Sequence, residues 1–167
     1  MFQPFDNPTA EPVPTRPRWM ALLARAPLPL LEAGLGELAH RPAQWLRAPE
    51  TGLMMVQGRV GGSGERFNLG EVTVTRCALR LDETGRAVGV AHVLGRTHRQ
   101  ARLAAVADAL LQDPQHHARL CAELLQPIDR LLAAQARERS AQAHATQVAF
   151  FTVAREAGDA SDEEDNA

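Results

Sequence analysis

The sequence predicts an α+β fold, an antiparallel β-sheet of about three to four strands with flanking helices and a long C-terminal helix. Three observations lead there. Nine of the 12 glycines and none of the 11 prolines lie between Thr51 and Gly95, where apolar residues alternate with period two. Outside that stretch the apolar spacing lengthens to that of a helix. From Pro127 to Gly158 no breaker intervenes, about 45 Å of helix at ~1.5 Å per residue.

The elements follow in order. Residues 1–14 are proline-rich and residues 157–167 acidic; both read as disordered tails, unable to bury enough apolar surface to order themselves. The domain is predicted over 15–156. Thr15 can cap a helix with Pro17 in its first turn and Trp19, Leu22, Leu23 and Ala26 on one face, ending at Pro27. A second helical segment carries Leu30, Leu31, Leu35 and Leu38 and is weakened by Gly34 and Gly36.

The first strand places Met54, Val56, Gly58 and Val60 on one face, with Met55, Gln57 and Arg59 on the other. The loop Gly61-Gly62-Ser63-Gly64 leads to a strand from about Glu71 to Leu81. Its apolar phase switches between Val74 and Cys77, which predicts a bulge near Arg76. Asp82-Glu83-Thr84-Gly85 then turns the chain into a strand over Ala87–Leu94.

Arg99–Leu111 is apolar enough to predict a helix lying across one sheet face, where Ala87, Gly89 and Ala91 offer a flat bed. Asp113-Pro114 restarts a helix bearing Leu120, Cys121, Leu124 and Leu125. Pro127 is expected to open the last helix. Ile128, Leu131 and Leu132 anchor its start, whereas Val148, Phe150 and Phe151 at its end call for a partner surface. A break near Ser140 that folds the end back is the competing arrangement.

Composition bounds the function. The 167 residues are 45% apolar and 23% charged, ordinary globular values. Apolar runs such as Val88–Leu94 are too short to cross a bilayer, and no secretory signal is readable, so a cytoplasmic location is expected. Two cysteines, Cys77 and Cys121, cannot supply the roughly four thiolates of an iron–sulfur cluster. Net charge is −2, yet residues 1–156 hold all 18 basic residues against 15 of the 20 acids. Every base is arginine, a bias that GC-rich codon usage explains most simply.

The most informative string runs from Arg59 to Phe67. Gly61, Gly62, Ser63 and Gly64 can form a nest of backbone N–H groups, and Arg59 and Arg66 would add charge-assisted bonds to an anion or an acidic partner segment. Arg76, with Thr73 and Thr75, lies on the next strand and is expected to come opposite Arg59. The plainer reading is a hairpin connection. It is not a Walker A loop or a dinucleotide fingerprint, because no helix follows.

No catalytic residue is assigned: a Gly-x-Ser-x-Gly elbow is missing, and Glu50 and Glu65 read as surface acids. No metal site is assigned either, since His117 and Cys121 at i, i+4 lack a third ligand. Nucleic acid is disfavoured, the arginines not being interleaved with aromatics.

The strings Glu50-Thr51-Gly52-Leu53, Arg59, Gly61-Gly62-Ser63-Gly64-Glu65-Arg66-Phe67, Gly70-Glu71, Thr73, Thr75-Arg76 and Leu79-Arg80-Leu81 closely resemble the PhnG family of bacterial carbon–phosphorus lyase systems. The resemblance continues through Arg18-Trp19-Met20, Gly95-Arg96, Ala107-Asp108-Ala109-Leu110 and Thr146–Thr152. Two positions depart from it, Ala149 standing where an aspartate is usual and Val153 where a methionine is.

The resemblance implies a core complex with PhnH, PhnI and PhnJ, with PhnL associated. It also implies transfer of an alkylphosphonate to the ribose C1′ of MgATP with loss of adenine, giving ribose 1-phosphonate 5-triphosphate. In that scheme the chain is a structural partner of PhnI, a transferase subunit without activity of its own and without a cofactor. The iron–sulfur cluster and S-adenosylmethionine belong to PhnJ. The alternative is a stand-alone anion-binding regulatory module.

Overall fold

The computed structural model describes residues 14–81 and 87–145. Helices α1 (Arg16–Leu23) and α2 (Leu28–Leu35) are followed by a 3₁₀ turn over Gly36–His40. Strands β1 (Ala43–Arg59), β2 (Arg66–Leu81) and β3 (Val88–Leu94) come next, then α3 (His98–Leu111), α4 (Pro114–Leu120) and α5 (Gln126–Ala145). The strands form one antiparallel sheet in the order β1-β2-β3. The α+β class, antiparallel pairing and long terminal helix thus appear as the sequence predicts.

Helix α3 is the centre of the core. Its residues Ala101 and Leu103 to Leu111 are buried, so it is covered on nearly all sides. Beneath it lie Cys77, Leu79, Leu81, Ala91 and Val93 of the sheet. The same core takes in Trp19, Leu22, Leu23, Leu31 and Leu35 of α1 and α2, and Leu120, Leu124, Leu125 and Ile128. The expected bed for α3 is real: a Cβ on Gly89 would sit 1.9 Å from the Ala105 carbonyl oxygen. Gly34 likewise admits Leu124, whose Cδ1 would lie 2.6 Å from an added Cβ, so this glycine serves packing as well as weakening its helix.

Asp108, fully buried on α3, ties three elements together. Its carboxylate accepts from Arg16 Nε and Nη2 at 3.2 and 2.8 Å, from Trp19 Nε1 at 2.8 Å and from the Val90 backbone N–H at 2.9 Å. A buried charge is tolerated because its lone pairs are so fully used. The bond to Asp108 also holds the Arg16 guanidinium above its ordinary pKa. Arg16 and Gln112 donate to the Val88 carbonyl as well. At Val88 and Val90 the outer edge of β3 is therefore closed by side chains, one of the ways edge strands are kept from pairing further.

Several sequence expectations are corrected. Strand β1 begins at Ala43, not near Met54, and β2 begins at Arg66 rather than Glu71. Val60 belongs to the connecting turn. No bulge interrupts β2 at Arg76, which pairs in register with His92. The bulges lie between Trp45 and Arg47 and between Arg47 and Glu50 on β1, with a third opposite the Val56–Gln57 step. The change of apolar phase has another cause: Thr75, Cys77, Leu79 and Leu81 face the helices, whereas Val72 and Val74 face the opposite side.

Pro127 does not open a helix. The chain is helical from Pro114 to Ala145, and a π-turn over Cys121–Leu125 ends two positions before the proline. Widening the turn there relieves the clash of the ring with the preceding carbonyls and the loss of one N–H. Helix α5 shows no break at Ser140. The turn at 82–85 and the end of the helix with Val148, Phe150 and Phe151 lie outside the described residues.

Candidate functional site

Among the described residues helices cover one face of the sheet only, and its first two strands outrun the rest. The last β2–β3 pair is Val74 with Leu94, and the same level of β1 is Gly52. From there β1 and β2 continue as a two-stranded ribbon to Arg59 and Arg66, seven positions or about 23 Å beyond. An isolated pair of strands is marginal in water without a surface to pack on.

The glycine loop closes the tip of this ribbon. Gly61 and Gly62 take φ of 57° and 82°, the left-handed conformation that hairpin turns demand. The Gly64 N–H donates to the Val60 carbonyl at 2.8 Å, and Arg59 Nη1 donates to the Gly64 carbonyl at 3.1 Å. The loop thus spends part of the expected nest on its own closure. Arg59 and Arg66 are cross-strand partners. This places two like charges opposite each other, and among the described residues no carboxylate pairs with either.

Arg76 is not part of that cluster. It lies opposite Glu50, about 30 Å along the ribbon from Arg59 at ~3.3 Å per residue. Its Nε and Arg47 Nη1 each bond Glu50 Oε1 at 2.8 Å. The Arg76 bond, then the Arg47 bond, holds the Glu50 carboxyl below its usual range. Thr75 also lies far from Arg59, paired instead with Thr51.

That threonine pair belongs to a network the sequence did not reveal. Thr75 Oγ1 donates to the Gly95 carbonyl at 2.6 Å and accepts from the Thr97 N–H at 3.1 Å. Thr51 Oγ1 lies 3.2 Å from Thr75 Oγ1 and 2.9 Å from His98 Nε2. The network fixes the start of α3 against the sheet at the point where the ribbon departs. Only the recurrence of Thr51, Thr75 and Gly95 within the family-like strings hinted at it.

His117 and Cys121 do meet. His117 Nδ1 lies 2.7 Å from the Leu111 carbonyl, which can only accept, so Nε2 at 3.4 Å is left to accept from the Cys121 thiol. Burial pushes that thiol's pKa up. Cys77, donating to the Ala101 carbonyl, is pushed up to about 11 by burial. Neither sulfur is set up as a thiolate ligand or nucleophile. Among the described residues no group of three His, Cys, Asp or Glu side chains converges on a metal position. A small, mainly apolar recess of about 220 Å³ between α1 and β3 is lined by Met20, Leu23, Val90 and His92.

A family model described as "Phosphonate metabolism protein PhnG" matches residues 14–156. The chain belongs to the PhnG family. It is also 43% identical over 144 residues to a Rhizobium meliloti (strain 1021) protein, covering 86% of this chain and 90% of that one. That protein is named alpha-D-ribose 1-methylphosphonate 5-triphosphate synthase subunit PhnG. Among the described residues of this PhnG-family chain, no helix is long and apolar enough to cross a membrane.

Proposed function

We propose that the chain is the PhnG-type subunit of a cytoplasmic synthase that transfers alkylphosphonate to MgATP. A phosphonate oxygen attacks the ribose C1′, the bond to adenine breaks, and ribose 1-phosphonate 5-triphosphate results. The chain acts as a structural partner in a core complex with PhnH, PhnI and PhnJ, PhnL being associated. MgATP is a substrate of the assembly. Cys77 and Cys121 do not fit an iron–sulfur cluster, which with S-adenosylmethionine is assigned to PhnJ.

The observation that carries this reading is the 43% identity, over nearly the whole of both chains, to a synthase subunit. The exposed apolar ribbon supports a partner role, since a chain that completes itself leaves little such surface uncovered. In this reading Val148, Phe150 and Phe151 contact PhnI, and the Arg59–Arg66 loop meets an anionic ligand or an acidic partner segment near the active site.

The test is adenine release from MgATP and methylphosphonate by the co-expressed complex. Leaving out this chain is expected to abolish it; undiminished release overturns the reading. Phe150→Ala with Phe151→Ala is expected to release the chain from PhnI, and unchanged co-purification removes the terminal interface. Arg59→Gln with Arg66→Gln is expected to lower turnover, and unaltered turnover removes the loop.

A further inference from the structure

Arg80 carries a charge that the fold leaves unanswered. It stands on the central strand β2, between Gln44 of β1 and Val88 of β3. Its neighbours Leu79 and Leu81 are buried beneath the helices, so alternation sends Arg80 to the opposite, helix-free face. There it is half-buried, and its Nε is shut off from solvent without a hydrogen-bond partner. No carboxylate among the described residues pairs with its guanidinium. A buried N–H left unpaired is costly, and native proteins satisfy nearly all such groups with protein, water or a bound ion.

The surrounding residues supply the rest of a site. Two positions back on the same face is Ala78, whose methyl group makes an open floor, and beyond it Arg76. Ala78 pairs with Arg47 on β1 and with Val90 on β3. Arg76 and Arg80 stand about 13 Å apart along the strand at ~3.3 Å per residue, and an arginine side chain is long enough to span half of that. Arg47 approaches from the side, one strand spacing or ~4.8 Å away. Three guanidinium groups therefore border the floor at Ala78.

Glu50 answers only part of their charge. Arg47 Nη1 and Arg76 Nε share its Oε1, both at 2.8 Å. Three arginines against one carboxylate leave an excess of two positive charges among the described residues of this patch. Nε and Nη2 of Arg47, both Nη atoms of Arg76 and the whole Arg80 fork keep their donors free. A carboxylate from another protein fills one fork and leaves one charge over. A phosphonyl or phosphoryl group carries up to two negative charges and three acceptor oxygens, one for each fork.

We propose that Arg80, with Arg47 and Arg76, forms an oxyanion site over Ala78 that takes a phosphonyl or phosphoryl group. It is separate from the glycine loop, since Arg66 lies about 45 Å away along β2 at ~3.3 Å per residue. The identity of the ligand rests on the synthase reading above, in which the group belongs either to the alkylphosphonate or to the triphosphate of the nucleotide. Binding itself does not depend on that reading and is measured on this chain.

The test is isothermal titration calorimetry of the full-length chain with methylphosphonate, MgATP and inorganic phosphate, at ~50 mM salt to limit screening. Arg80→Gln is expected to weaken binding ten-fold or more. Glu50→Gln, which removes the competing carboxylate, is expected to tighten it. Arg137→Gln on α5 changes net charge as Arg80→Gln does and is expected to leave binding unaltered. Arg80→Lys keeps the charge but not the fork, so it should fall between, and it replaces Arg80→Gln if circular dichroism shows lost helix. Tighter binding of methylphosphonate than of MgATP names the phosphonate as the source, and the reverse order names the nucleotide. No binding of any probe, or equal binding by the native chain and Arg80→Gln, overturns the site and leaves the synthase reading intact. Loss in Arg66→Gln in place of Arg80→Gln gives the anion to the glycine loop and also overturns it. Arg80-dependent binding by a chain that proves dispensable for adenine release keeps the site and overturns the reading instead.

Discussion

Replacing Asp108 tests whether one buried carboxylate holds α1, α3 and β3 together. Asp108→Ala strips partners from Trp19 Nε1 and the Val90 N–H, both in places water does not reach easily. Each orphaned donor costs about 1–3 kcal/mol. Arg16 also loses a bidentate partner, but its side chain is 42% exposed and recovers much of its hydration. The sum is a loss of about 3–5 kcal/mol, the range found for breaking buried pairs. For a chain of 167 residues that lowers Tm by about 8–15 °C. Asp108→Asn keeps the shape and one acceptor oxygen but turns an N–H₂ towards donors, so it should fall between Ala and native. Urea unfolding followed by far-ultraviolet circular dichroism reads all three. A loss under about 1 kcal/mol for Asp108→Ala would refute the claim that its bonds are structural.

Gly89→Ala is expected to destabilise by about 1–3 kcal/mol or more, because its methyl meets the α3 backbone rather than a side chain that can turn away. Native-like unfolding would mean that the helix lies farther from the sheet. Cys77 has a folded-state pKa of about 11, above that of an exposed thiol, so the neutral thiol is favoured by folding. Stability should be undiminished below pH 9 and fall as pH rises towards 11, and Cys77→Ser should flatten that slope. In native conditions at pH 8, a thiol reagent is expected to modify Cys121 before Cys77; equal rates would contradict the burial of Cys77.

What the sequence disclosed follows physical lines. The helix α1 was readable from Pro17 and the spacing of Trp19, Leu22 and Leu23, all local signals, whereas Thr15 stands at the N-cap position without the expected side-chain cap bond. The bed beneath α3 was readable because only Gly89 and small neighbours permit such an approach. The first half of β1 was not: Ala43–Glu50 contains Pro49, lacks alternation and is mostly exposed, so pairing with β2 through two bulges sets its state. Pro127 misled because a helix start and a proline buffered by a π-turn look alike in one dimension.

At the candidate site the glycine loop was legible as a turn between strands, while its distance from Arg76 depended on a register that one chain of letters does not contain. The anchoring role of Asp108 was likewise hidden. An acid in an apolar helix signals that something is bound, but not that Arg16, Trp19 and Val90 supply the donors.

Completion of the exposed β1–β2 ribbon by another chain of the synthase can be read by amide hydrogen exchange over residues 53–72. It is measured on the chain alone and within the assembled synthase. Rapid exchange is expected in the isolated chain at Met54, Val56, Leu69 and Val72 and strong protection after assembly, with α3 protected in both. Full protection of those amides in an isolated monomer, or none gained on assembly, would contradict it.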